Sequence, residues 1–326
     1  MKKLLTLVLA VAMLLSIGAV SASAEDLNIA YMPNYASLWS VVTGIQMGYF
    51  EEEGLNVKLV EFADGPTIIA AMESGSIDMG YIGPGAHKLC INGRAKIFML
   101  SQIGNADAVL ARKSRGIETY ADLKGKKVGY SSGTSSEMIL QYALEEAGLT
   151  MNDIQAYEME VSSLVSAMVS GSIDACAAWS PSTATIIASD PDDIFSMCSN
   201  VTFADRSVSP ASWIVLSGYY GDHQEIVLRF ARALYKAMDY GSDPANFEQV
   251  AKWVAAQCGV DYEIAAAQTG DAAWPSSAEI IAGAQDGTIE GYYKVQQDAF
   301  IASGAVEKEV PVADYVLFDI MIEAGK

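Results

Sequence analysis

Histidine is almost missing from this chain of 326 residues: only His87 and His223 occur, far apart in sequence. A Ser-His nucleophile pair or a histidine-based metal centre has little material to use. Cysteine is sparse too, and Cys90, Cys176, Cys198 and Cys258 stand at spacings that match no metal motif. Cys176 and Cys198 are the nearest pair, which an oxidising compartment would permit to bridge, but buried free thiols are the favoured reading. Basic residues are also few, 20 Lys and Arg against 40 Asp and Glu, for a formal net charge of −20. Phosphate-backbone binding needs basic patches, so no nucleic-acid partner is expected. The composition calls for neither a metal nor a cofactor.

Long apolar runs are confined to Leu4–Val20, which lies behind Lys2 and Lys3 and ahead of Ala22-Ser23-Ala24. That order is a secretory leader over residues 1–24, too short and wrongly flanked for a stable anchor. No Cys stands at the cleavage site, so a lipid-anchored N-terminus is not expected and the location is periplasmic or extracellular. Loss of Lys2 and Lys3 takes the net charge from −20 to about −22. An anionic ligand would therefore have to be held by local dipoles against an unfavourable long-range field.

What the chain does have is a strand-turn-helix stretch at Lys127–Glu137. Lys127–Tyr130 reads as a strand, Ser131–Ser136 as a hydroxyl-rich turn, and Met138–Glu146 as a helix capped from that turn, with Glu137 suited to the dipole. Gly133 lets backbone approach whatever lies above the turn. Free N–H groups and hydroxyls at such a place bind anions or polar ligands without a basic side chain; an ordinary self-capped turn is the plain alternative.

The same grammar occurs earlier. Strands are expected at Asp26–Tyr31, Asn56–Phe62 and Ile77–Ile82, with helices at Leu38–Met47 and Thr67–Glu73. Later come strands at Ile154–Met159 and Ile173–Ala178 and a helix at Ser163–Val169. Alternation of this kind implies parallel strands in a layered α/β fold. Ala71–Asp78 (AMESGSID) recurs as Ala167–Asp174 (AMVSGSID), seven of eight positions identical. We read two lobes on one plan: 25–110 with 214–326 as the first, 111–213 as the second. Ala108–Arg112 and Ser212–Leu216 are the expected crossings, and residues 222–240 form a long amphipathic helix with Ile226, Val227, Phe230, Leu234 and Met238 on one face.

Two βαβ lobes joined by two crossings make a cleft, and ligands in open α/β sheets bind beyond the carboxyl ends of the strands. That rule selects the turns at Met32–Trp39, Gly83–Ala86, Ser131–Ser136 and Trp179–Pro181, plus the return at Ser209–Trp213. None of them contains Lys or Arg.

Three stretches carry a family likeness: Gly48-Tyr49-Phe50-Glu51-Glu52-Glu53-Gly54-Leu55-Asn56-Val57, Gly75-Ser76-Ile77-Asp78, and Ala121-Asp122-Leu123-Lys124-Gly125-Lys126-Lys127-Val128-Gly129, with a weaker run at Arg229–Ala233. On these the chain resembles the solute-binding proteins of the nitrate/sulfonate/taurine group of ABC importers, the type that also includes thiamine-precursor (pyrimidine) binders. The resemblance implies a two-lobed clamshell, the periplasmic-binding-protein type II fold with two crossover strands. It also implies a monomer that closes on a small polar ligand of the sulfonate, taurine or nitrate type and presents it to an ABC permease. No Gly-x-x-x-x-Gly-Lys-Ser/Thr stretch occurs, so any ATPase must be a separate chain.

The ligand-binding residues expected from turns and resemblance together are Asn34, Tyr35, Ser37, Gly83, Pro84, Ser132, Gly133, Thr134, Ser135, Trp179, Ser180 and Trp213. Tyr35 lies in a turn and is read as ligand-facing, Trp39 as core, and Trp213 as either a cleft aromatic or packing. Asp78 and Asp174 are read as structural, and His87 as a helix residue outside the cleft. The aromatic content leaves a second ligand class open, a neutral or cationic heterocycle stacked between rings. Two other functions stand beside transport. The resemblance also takes in pyrimidine-synthesis enzymes that share the fold, which need a histidine and a cysteine cluster in the cleft, and a sensor presenting its closed form to a membrane receptor would look identical in sequence.

Overall fold

Two sheets, each wound from strand-turn-helix units, divide the chain. A computed structural model describes residues 24–204 and 207–326. The leader read over 1–24 thus lies, but for Ala24, outside the described residues. The first sheet contains β1 (Glu25–Tyr31), β2 (Leu55–Glu61), β3 (Met79–Ile82), β4 (Lys96–Gly104), β10 (Pro210–Val215) and β11 (Ala272–Ala273), in the order β11-β4-β10-β3-β1-β2. The second contains β5 (Asp107–Arg112), β6 (Lys127–Tyr130), β7 (Gln155–Glu158), β8 (Ala175–Trp179) and β9 (Ile194–Ser199), in the order β7-β6-β8-β5-β9. The βαβ strands pair in parallel, β1 with β2 and β3, β6 with β7 and β8. The crossing strands enter antiparallel, β5 between β8 and β9, β10 between β3 and β4.

The chain leaves the first sheet at Asn105–Ala106 and returns between Ser199 and Pro210. The boundaries drawn from sequence at 110/111 and 213/214 fall inside β5 and β10. Both strands, read from sequence as the crossings themselves, are buried along their length and belong to the sheets they enter. Asn200 clasps the two passages: its Nδ2 donates to Asp107 Oδ2 and to Ser209 Oγ, both at 3.0 Å.

The eight-residue repeat does one job in each lobe. Asn28 N–H donates to Asp78 Oδ2 at 2.8 Å, and Lys127 N–H to Asp174 Oδ2 at 2.9 Å, so each Asp pins the start of its neighbouring strand. The hydroxyls of Ser76 and Ser172 cap the preceding helix by donating to the carbonyls of Ala71 and Ala167. The turns after β1 and β6 are equally alike: Met32 N–H donates to Ser37 Oγ and Ser131 N–H to Ser136 Oγ, five residues on in both.

The largest core lies under the first sheet. The helix Gln224–Gly241 buries Val227, Phe230, Leu234 and Met238 there, with Phe230 stacked on Phe50 at 4.8 Å. Each such fully buried side chain contributes about 1.5–3 kcal/mol. The polar face of that helix clamps the Gly48–Leu55 turn: Arg229 Nη1 donates to the Glu53 carbonyl, Arg232 pairs with Glu53 and Lys236 with Glu52. Two of the motifs that carry the family likeness therefore touch one another, as parts of the scaffold. All four cysteines are free thiols, three buried and Cys258 half-buried.

Candidate functional site

The cleft between the sheets is built from turns on both sides. From the first lobe come the Met32–Ala36 turn, Gly65 and Pro66, the Gly83–Ala86 turn, Tyr81 and Gln102, and the segment Gln268–Ala272; from the second come Asp107, Thr134, Ser135, Trp179 and Ser180. Ala106 and Ser209 close the hinge end. The cavity measures about 70 Å³. At ~10–15 Å³ per water, that admits a solute of a few heavy atoms unless the lobes part.

The lobes meet at backbone distance. A Cβ added to Gly85 would lie 2.0 Å from the Thr134 carbonyl carbon and 2.3 Å from the Ser135 nitrogen, so only glycine lets the Gly83–Ala86 turn lie against the Ser131–Ser136 turn. Gly133 sits at φ +76 with Pro66 of the first lobe over it. Beside this contact Lys88 Nζ meets Glu137 Oε2 at 3.0 Å, a half-buried ion pair joining the two lobes. The chain is thus held here with its lobes closed.

The hydroxyl-rich turn serves itself first. Ser136 Oγ accepts from Ser131 N–H and donates to the Ala177 carbonyl, Thr134 Oγ1 accepts from Ser136 N–H, and Glu137 Oε2 accepts from Gly133 N–H at 2.9 Å. Of the N–H groups expected to stand free, those of Ser131, Gly133 and Ser136 are therefore occupied, because short hydroxyl side chains reach their own backbone more readily than a ligand. The N–H groups of Ser132, Thr134 and Ser135 carry no such cap among the described residues.

Seven of the expected site residues line the cavity: Asn34, Gly83, Pro84, Thr134, Ser135, Trp179 and Ser180. Asn34 also caps the helix Tyr35–Gln46, its Oδ1 accepting from Ser37 N–H. Five do not line it. Tyr35 is fully buried with its ring edge-on to Trp274 at 5.1 Å, because the cap at Asn34 starts the helix three residues earlier than expected and turns Tyr35 inward. Trp213 is likewise in the core, between Tyr81 and Phe230 at 5.8 Å each. Ser37 is fully buried, and Ser132 and Gly133 are half-buried and not part of the cavity lining. Trp39 is a core residue whose Nε1 donates to Ser101 Oγ.

Four polar residues of the cavity wall were not singled out from sequence; one, Gln268, accepts from Tyr35 N–H through Oε1. Asp107 opens β5, one residue ahead of the apolar run that marks that strand. It is 5% exposed, and its carboxyl accepts from Asn200 Nδ2 at 3.0 Å. Burial raises its pKa, and the charge of Asp271 adds to the rise. Asp271 lies just ahead of β11; burial raises its pKa as well, opposed by Ser180 of the opposite lobe. Gln102 stands in β4, a strand the sequence reading left unassigned. The side-by-side polar pair Ser101-Gln102 inside the run Ile97–Ile103 was the available clue, since a buried amide needs a partner. Gln102 Nε2 donates to Tyr81 Oη, while its Oε1 is buried without a partner.

No Lys, Arg, His or Cys is among the described residues of the wall. His87 is fully buried outside it: Nδ1 meets Gln296 Oε1 at 2.7 Å, and Gln296 Nε2 donates to the Pro84 carbonyl at 3.1 Å. Burial pushes the His87 pKa down to about 4.

Comparison with known proteins fits this architecture. The model of the family described as NMT1/THI5 like matches residues 37–246. A protein of Brucella abortus (strain 2308), named as a binding protein, is 31% identical over 292 residues, covering 90% of both chains. The chain belongs to the NMT1/THI5-like family. Its relatives include proteins named for the binding of aliphatic sulfonates and of taurine. Among solved structures, the alkanesulfonate-binding protein SsuA of Xanthomonas axonopodis pv. citri, bound to MOPS, shares the fold at TM-score 0.68 and 22% identity, over 91% of this chain and 99% of that one. The desulfurization enzyme DszB shares it at TM-score 0.65 and 14% identity, over 92% and 98%. The fold alone therefore serves both binding and catalysis. Among the described residues no helix is long and apolar enough to cross a membrane.

Proposed function

We propose that the protein is an extracytoplasmic solute-binding protein of an ABC importer. It captures a small polar solute between its lobes and delivers it to a membrane permease driven by separate ATPase subunits. The observation that carries this reading is a cavity lined by turns from both lobes, with the lobes joined by two chain passages and one ion pair across the cleft. Such a site binds by hinge closure: the closed form is favoured by the contacts a solute makes to both walls at once. The passages at Asn105–Ala106 and between Ser199 and Pro210 are the hinge. Val109–Arg112 and Ser212–Val215 are hydrogen-bonded inside sheets and move with their lobes.

Binding without turnover is favoured over catalysis, since the wall offers neither a histidine base nor a cysteine nucleophile. Relatives named for sulfonates and taurine support a ligand of that type, for which the uncapped N–H groups of Thr134 and Ser135 are the available donors. The test uses the mature chain, residues 25–326, refolded free of ligand and screened by thermal shift against sulfonates, nitrate, amines and heterocycles. A solute at 100 times its Kd adds about 2.7 kcal/mol of stability. The hit should also reduce the radius of gyration in small-angle scattering. A stabilising solute that leaves the scattering profile unchanged would refute capture by closure.

A further inference from the structure

Within that reading of the cleft as a solute site, we propose that its solute presents a cationic amine or an N–H-rich group. That group is held by the carboxylates of Asp107 and Asp271 and the amide oxygen of Gln102. Nothing in the relatives' names assigns these three residues.

Two independent features point the same way. The first is charge. The described wall contains two carboxylates and no basic side chain, and Lys88 is already engaged by Glu137. A bare anion such as nitrate would face both carboxylates with only the uncapped N–H groups of one turn to hold it. The second is an acceptor with nothing to accept. Gln102 lines the cavity and is 1% exposed; its Nε2 is committed to Tyr81 Oη, and its Oε1 is buried with no donor. A buried carbonyl oxygen left unpaired is costly, and a ligand N–H is the group that satisfies it.

The carboxylates retain capacity for the same purpose. An ionised carboxylate has about four acceptor sites. Asn200 uses one on Asp107, and Ser135 and Ser180 lie close enough to Asp107 and Asp271 to lower their pKa values. The two groups sit in opposite lobes, and Asp107 feels the charge of Asp271. A cation placed between them relieves that repulsion and binds both walls, so recognition and closure become one event. Ser180 of the second lobe lies beside Asp271 of the first, a contact made across the cleft with the lobes together.

The test is calorimetric titration of the ligand-free mature chain with matched probes that differ by one group. These are taurine against 2-hydroxyethanesulfonate, and ethylamine, guanidinium and 2-aminopyrimidine against ethanol, urea and pyrimidine. Asp271→Asn is measured in parallel, with a ligand-free melt to show that it folds. The expected result is at least tenfold tighter binding of the amino member in at least one pair, with that preference lost in Asp271→Asn. Gln102→Leu, which removes the acceptor without touching charge, should weaken the same probe. If sulfonates or nitrate bind and close the lobes with no preference for the amino member, and Asp271→Asn binds them more tightly, solute capture stands and the acceptor assignment falls. If no probe binds, both fall.

Discussion

Protonating His87 should weaken the fold in mild acid, by an amount the structure sets. His87 is fully buried and donates through Nδ1 to Gln296 Oε1, which leaves Nε2 bare and without a partner. Adding a proton there creates a buried charge whose new N–H meets no acceptor, and this desolvation holds the pKa near 4 against an ordinary value of 6.5. The unfolded chain binds the proton first as pH falls. The stabilisation is thus complete above about pH 6.5, declines between 6.5 and 4, and is gone below that. The interval corresponds to about 3 kcal/mol. The effect reaches the cleft, because Gln296 also holds the Pro84 carbonyl, and Pro84 begins the turn that lies against Thr134. Urea unfolding of the parent and of His87→Gln at pH 7.5 and pH 4.0 isolates the term, since every carboxylate titrates alike in both. The parent should lose about 3 kcal/mol more than the variant over that range. Equal losses would refute the assignment of a neutral, buried His87.

Two further perturbations separate closure from folding. Gly85→Ala places a methyl 2.0 Å from the Thr134 backbone and so opposes closure while leaving each lobe intact. Affinity for whichever screened solute binds best should fall by about 1–3 kcal/mol with the melting temperature of the ligand-free protein unchanged, and undiminished affinity would show that the lobes do not close on this contact. Arg112→Met removes a buried guanidinium that donates to Asp193 at 2.6 Å and to the Met168 carbonyl at 2.6 Å. Stability in chemical denaturation should drop by about 3–5 kcal/mol, and a loss under 1 kcal/mol would mean that Asp193 is satisfied by Ser114 alone.

The fold was legible because it rests on local rules. Period-two and period-3.6 patterns, glycine caps and a repeated octapeptide place thirteen of the principal elements within a few residues, and the family motifs name the architecture. β4 and β9 went unread for a physical reason. Both are strands of mixed or fully buried pattern without a turn signature of their own, and periodicity alone does not separate such runs from helix. The turns of the cleft were legible for the same reason as the strands that feed them. Which atoms of those turns face a ligand was not, since hydroxyls that cap their own N–H groups look identical in sequence to hydroxyls that wait for a solute. Tyr35 illustrates this: one capping bond at Asn34 turns it from the cleft to the core.

The internal repeat separates scaffold from specificity. Asp78 and Asp174, Ser76 and Ser172, Ser37 and Ser136 make equivalent bonds in the two lobes, so their roles are fixed by the plan that both lobes share. A residue whose bonds recur in both lobes cannot by itself distinguish one solute from another. The polar groups that have no counterpart across the repeat are those on the crossings and the C-terminal segment: Gln102 at the end of β4, Asp107 at the start of β5, and Asp271. All three are acceptors, and they gather at the hinge, where Asn200 ties one passage to the other through Asp107 and Ser209. A solute bound there touches the two segments whose rotation opens and closes the cleft. A change at Asp107 should therefore alter ligand preference and hinge stiffness together, whereas a change at Asp174 should alter only the stability of its lobe. Measuring affinity and the scattering-derived open fraction for Asp107→Asn and Asp174→Asn side by side tests this division. It fails if Asp174→Asn shifts ligand preference as much as Asp107→Asn does.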